Sequence, residues 1–439
     1  MIREARERDE FITPASPPGL KVVQIATDNS RSSENVYMDC NSWTPDSQRF
    51  TFWRQPSDDG RQPGGLWLCD TTDNFSIEPI IEYEVRANLH TFPKMRDAFV
   101  NACLSPDGTA VYATVRRQDV LEVSRIDLAT RQRHVVATAP VPWTIRGQFS
   151  ISCDSRHLVE GVFLGDGRTE GAPWGLCVFD LQQGTHRFVE LGNGFRNLHC
   201  QYSKNPAAPT DMLVSGGPGR LSDGSWLTPP DGSWRHQDLP GRFAPGQGPL
   251  TTHHVIRDDG THWRMLPIGN GGDMLSGGHC GFRGTGDTVC AAMYDTRGGK
   301  WRAPIVELTP VSWPGGRDHP EYWRGQLAAG VPAPVDLSRK LARADSCHIA
   351  GDRSGKYFVS DTDGYVEGKY AFLWVATYVE APGEPPWLQA KYLLQPRSTY
   401  KGQPAHAHPV LSADGRYVAF QSDFSGRPQV NVAYGFDYP

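Results

Sequence analysis

The chain has 439 residues, with 46 Gly and 35 Pro spread along its length. That punctuation excludes a helical bundle, and 10% aromatic residues with 13 Trp exclude a disordered chain. A formal net charge of -5 offers no basic face for nucleic acid, and no apolar run is long enough for a membrane span.

The N-terminal run MIREARERDEF is charged and lacks the apolar stretch of a signal peptide, so residues 1–19 read as an extension. Nine Cys without tight spacing read as reduced thiols of a cytoplasmic protein. LKVVQIAT (20–27) is a β-rich run that precedes a repeat. The repeat is a polar turn with Asp and Gly, then a β-rich run of four to six residues. It occurs as TPDSQRFTFWR (44–54), SPDGTAVYATVR (105–116), SCDSRHLVEGVF (152–163) and SKNPAAPTDMLVSG (203–216). It returns as FRGTGDTVCAAMY (282–294), DRSGKYFVSD (352–361) and SADGRYVAFQSD (412–423). An Asp-Gly turn between β-rich runs marks a hairpin. Seven copies mark seven small sheets, none of which can bury both faces unless they stack around an axis. The expected fold is all-β, one seven-bladed β-propeller over residues 20–439 with an inserted loop near 218–250. The last strand pattern, PQVNVAY (428–434), leaves the seventh blade one strand short. Residues 20–27 are expected to complete it and remove an open sheet edge.

The innermost strand of a blade lines the central channel and runs into the repeat turn. His199, His279, His348, His406 and His408 all stand just before such turns, so four blades aim imidazoles at one axis. In QPAHAHP (403–409), His406 and His408 are two apart, which on a strand puts both on one face. With Gln403 and His348 they make three nitrogens and one neutral oxygen, a set suited to Mn²⁺, Zn²⁺ or Fe²⁺. The Cys beside channel imidazoles, Cys200, Cys280 and Cys347, read as packing residues that strand alternation turns away from the channel.

Gln403, His406, His408 and Pro409, followed by LSADGRYVAFQSDFSGRP, resemble a segment of the oligogalacturonate lyases, cytoplasmic seven-bladed propellers that cleave short pectin fragments. The resemblance implies a divalent cation, Mn²⁺ in that family, held by His348, Gln403, His406 and His408. It implies a catalytic His at His279 and a further channel His at His199, and its small-molecule partner is a short uronate oligosaccharide. The family's catalytic Arg is absent: TTHHVIRDDGTHW (251–263) carries Thr252 or His253 there. His199, His253 or His254 is expected to act in its stead, with Arg196, Arg220, Arg283 and His254 as carboxylate-binding candidates. The reaction implied is β-elimination. A cation on the uronate carboxylate stabilises the enolate-like state, neutral ligands leave it its full charge, and a neutral His takes the α-proton. The repeat alone also fits a non-catalytic propeller that binds sugars or a protein, or a uronate-processing enzyme of different chemistry.

Overall fold

A computed structural model describes residues 1–38, 40–84, 97–140, 144–163, 174–192, 199–216, 252–267, 276–294, 304–319, 322, 329–341, 346–362 and 371–439. Among them the strands form seven antiparallel sheets, each the blade of a β-propeller. The blades follow the chain, and each is built from the axis outward. Blade two, for example, runs Asp97–Leu104, Ala110–Arg117, Val120–Asp127 and Arg133–Pro140. Blades four to seven begin at the axis with Gln201–Tyr202, Ser276–Phe282, Ile349–Gly351 and Val410–Leu411.

The repeated turn has a local cause. In four copies a hydroxyl donates to the Asp two residues on, Thr44 to Asp46 at 2.6 Å and Ser412 to Asp414 at 2.9 Å among them. The same carboxylate oxygen accepts a backbone N–H two residues later, from Gln48, Thr109, Arg156 or Arg416. The residue between them is forced into the left-handed region: Gly108 and Gly415 have φ of 71° and 76°. Ser47 and Ser155 occupy it at φ 60° and 59°, a conformation that costs more for a residue with a Cβ.

The core is divided by the same geometry. Seven apolar clusters each join two neighbouring blades, one for every interface around the ring. Both faces of each sheet are thus covered, and a strand residue looks at the next blade rather than at solvent.

Closure follows the expected pairing. Lys21–Gln24 lies antiparallel to Gln429–Tyr434, with Val23 opposite Val432. The N-terminal extension also takes part, since Arg6–Glu7 pairs with Gln24 and Val23 as one more strand. Glu4 reaches blade one, where its Oε1 lies 2.8 Å from the fully buried guanidinium of Arg54. Deleting residues 1–30 removes two strands and leaves Arg54 without this carboxylate, a loss of about 3–5 kcal/mol for a buried pair. The truncated chain is expected to lose its cooperative thermal transition, and a variant that melts like the full chain refutes this closure.

Glu160, on the second strand of blade three, is buried at the interface with blade two. It accepts hydrogen bonds from Asn101 and Thr114, the latter at 2.7 Å. Burial pushes its pKa from 4.5 up to about 8. Between those values the folded chain keeps a proton that the unfolded chain releases, so stability falls as pH rises through the window. Glu160→Gln should raise stability by a few kcal/mol relative to the parent above pH 8 and by little below pH 4.5, read by denaturant melts.

No disulfide forms among the nine cysteines, all of them described. No helix among the described residues is long and apolar enough to cross a membrane.

Candidate metal centre

In blades two to seven the inner strand runs directly into a residue whose N–H closes the repeat turn. In blades four to seven these residues are Ser203, Arg283, Asp352 and Ser412. Four residues before each stands an imidazole: His199, His279, His348 and His408. Equivalent positions in consecutive blades converge on one end of the axis, and the rings meet there. The His279 and His348 centroids are 4.1 Å apart, and those of His348 and His408 are 4.4 Å apart. His406 lies 5.6 Å from His348 and 5.3 Å from His408. One ligand nitrogen from each of His348, His406 and His408 falls within 4.8 Å of the other two.

The expected strand through His406 and His408 is not formed. Gln403–Ala405 is a single turn of 3-10 helix, His406 follows it, and the strand begins only at Val410. His408 has φ 40°, a left-handed conformation that costs a non-glycine residue on the order of 1–3 kcal/mol. Buried amides hold this loop in place. Gln421 donates to the carbonyls of Pro404 (2.9 Å) and His406 (3.4 Å), and Asn35 donates to that of His408 (3.1 Å). Gln403 is exposed at the start of the turn.

His348 is fully buried, and its protons are assigned by its neighbour. Nδ1 lies 2.8 Å from Asp361 Oδ2, which also accepts from Tyr400 Oη at 2.7 Å. Nδ1 therefore carries the hydrogen and Nε2 the lone pair. Burial, reinforced by His406 and His199, drives the His348 pKa down to about 3. Burial also lowers His408 well below the usual imidazole value, helped by His348, and it lowers His406. Three neutral imidazoles thus face one another. The Nε2 of His408 is buried and has no hydrogen-bond partner among the described residues. An orphaned buried nitrogen beside two others is what a bound cation would satisfy, and the donor set fits a borderline divalent ion.

His279 sits at an irregularity of its strand, between Gly277 and Cys280, which re-aims its side chain. Its Nδ1 is 2.8 Å from the carbonyl oxygen of Cys347. A carbonyl only accepts, so neutral His279 has its hydrogen on Nδ1 and its lone pair on Nε2. His199 joins the group through Tyr37, whose ring is 5.7 Å from His199, 6.2 Å from His279 and 5.2 Å from His408.

Other expected residues lie elsewhere. His253 and His254 are on Thr252–Arg257, the third strand of blade four, two strands out from the axis. Their Asp-Asp-Gly turn joins the third strand to the fourth, not the first to the second. Both are buried: His253 Nδ1 lies 3.6 Å from Cys280 Sγ, and His254 stacks on Tyr322 with Nδ1 2.7 Å from its hydroxyl. Burial lowers His254 to about 3, consistent with a packing role. Arg283 Nε donates to Glu307 at 2.8 Å and its guanidinium lies over Tyr378, so its charge is already matched. Arg196, Arg220 and the loop near 218–250 lie outside the described residues. Cys347 departs from the packing role expected of it, since its Sγ is 3.9 Å from His348 Nε2. Asp361, Tyr400 and Tyr37 were not singled out by the repeat, because none of them holds the position four residues before a turn.

Behind the cluster a cavity of about 140 Å³ runs along the axis, lined by residues such as Ser42, Ser150, Gln201, Gly351 and Ser412. Its walls hold no imidazole. Met38 and Cys280 in its lining directly follow Tyr37 and His279 in the chain, so it lies close to the imidazoles.

Fold and site together define a seven-bladed propeller with a histidine-rich centre at one end of its axis. Two solved structures share the fold along nearly the whole chain. Oligogalacturonate lyase from Vibrio parahaemolyticus superposes with a TM-score of 0.66 at 15% identity, covering 99% of this chain and 97% of its own. An oligogalacturonate lyase in complex with manganese gives 0.65 at 18% identity, covering 99% and 96%. No protein-family model and no curated protein sequence matches the chain.

Proposed function

We propose that this propeller is a metal-dependent lyase that cleaves short uronate oligosaccharides by β-elimination, with Mn²⁺ as its cation. The observation that carries the reading is the set of three neutral imidazoles, His348, His406 and His408, with a fourth, His279, beside them. The fold shared with two oligogalacturonate lyases, one in complex with manganese, supports the same class. When bound, the cation withdraws charge from the uronate carboxylate and makes the α-proton more acidic. His348, His406 and His408 hold it, with Gln403 at the exposed rim as a fourth donor. Asp361 fixes the tautomer and orientation of His348. His279 Nε2 takes the α-proton, its other nitrogen tied to the Cys347 carbonyl. Tyr37, which lies between His199 and His279, and His199 assist the departing sugar oxygen in place of the Arg that the chain lacks.

The test is the near-ultraviolet absorbance of an α,β-unsaturated uronate. Protein loaded with Mn²⁺ should generate it from oligogalacturonates, and chelation should stop it. A loaded protein that binds these oligomers but leaves them intact refutes the lyase reading. A saturated product would point to hydrolysis or epimerisation instead.

A further inference from the structure

We propose that His279, Cys347 and His348 form a second cation site, suited to a soft ion such as Zn²⁺ or Cd²⁺, and mutually exclusive with the three-imidazole centre. One donor atom from each of the three lies within 4.8 Å of the other two. Cys347 Sγ is already 3.9 Å from His348 Nε2. Both imidazoles have Nδ1 committed, His279 to the Cys347 carbonyl and His348 to Asp361, each at 2.8 Å. Each therefore presents Nε2, and the thiolate supplies the third donor. Donors arranged tetrahedrally about 2.0–2.3 Å from an ion stand about 3.5 Å apart, so side-chain shifts on the order of 1 Å complete the site. A thiolate strengthens the preference for Zn²⁺ or Cd²⁺ over Mn²⁺, whereas three imidazoles and an amide oxygen discriminate less and also accommodate Mn²⁺.

The exclusion follows from His348. It has one lone pair to give, on Nε2, and both sites call on it. An ion at the thiolate site removes one ligand from the other centre and occupies the lone pair of His279. The site itself rests on the donor geometry alone, and only the effect on turnover rests on the lyase reading.

The test needs no substrate. The metal-stripped full chain is loaded with Mn²⁺ and titrated with Cd²⁺. Released Mn²⁺ is followed by its electron paramagnetic resonance signal, and thiolate ligation by the near-ultraviolet thiolate-to-cadmium absorbance band. About one equivalent of Cd²⁺ should produce the band and release the Mn²⁺ together. In Cys347→Ser the band should vanish, and release should need at least about 10-fold more Cd²⁺. In His406→Ala, which lacks a ligand of the other centre only, the band should persist. Circular dichroism confirms that each variant is folded, and Cys347→Ala replaces the serine variant if that one is not. A parent protein without the band, or a band that survives in both Cys347 variants, overturns the proposal. So does a band that forms while Mn²⁺ stays bound, since the two sites would then not exclude each other.

Discussion

His406→Ala is expected to abolish Mn²⁺ binding at micromolar metal, with an affinity loss above about 10²-fold. The cation would lose one of three buried imidazoles, and the two left cannot close around it. The loss should exceed that of Asp361→Asn, which keeps every ligand and only loosens the hold on His348 Nδ1. Outer partners of this kind are worth about 10–100-fold in affinity. His134→Ala, on the exposed outer strand of blade two, should bind metal like the parent. His157 makes a poor control because it lies 3.1 Å from Asp258 and 3.7 Å from Asp180, so its loss also disturbs folding. Metal content per chain after dialysis ranks the four proteins. Equal contents in the parent and His406→Ala would remove the basis of the metal centre.

The second large effect concerns proton transfer. His279→Ala should lower turnover of an oligogalacturonate at least about 10²-fold, the usual size of a general-base contribution, and leave Mn²⁺ content unchanged. The geometry separates these two readouts. A ring nitrogen of His279 lies near Cys347 Sγ and a nitrogen of His348, but His279 is not one of the set formed by His348, His406 and His408. Loss of Mn²⁺ from His279→Ala would make it a ligand of that set, and full turnover would place the base on another residue.

Much of this was written in the sequence because a polar turn closes after the inner strand in seven blades, and in four of them one local device builds it. A hydroxyl, an Asp and a left-handed residue make the same turn wherever they fall, so the repeat could be counted without knowing what packs on what. Any residue at a fixed offset from the turn inherits a fixed place on the axis, which is why His199, His279, His348 and His408 could be grouped. The offset holds only for the turn between first and second strands. Asp258, Asp259 and Gly260 make a similar turn between the third and fourth, and His253 and His254, expected at the channel because they stand where the resembled family carries its Arg, lie before that turn instead. Asp361 was hidden for another reason. It ends the second strand of blade six, where cross-strand register sets it beside His348, and its approach to Tyr400 depends on how that blade meets the loop before blade seven. Tyr37 likewise meets His199, His279 and His408 only because the ring closes. The backbone of His408 was unreadable because a left-handed imidazole residue has no compositional mark.

The pairing of Lys21–Gln24 with Gln429–Tyr434 also orders events in time. The partners are on the order of 400 residues apart, and at about 5–20 residues per second the ribosome needs tens of seconds to make what lies between them. Lys21–Gln24, made long before its partner, is thus among the last strands to find its place. Through that interval Val22 and Val23 have no sheet to join, and blade seven has no sheet at all. Folding of the ring can be completed only after Gln429–Tyr434 has been made and has left the ribosome, so a short apolar strand waits unpaired until then.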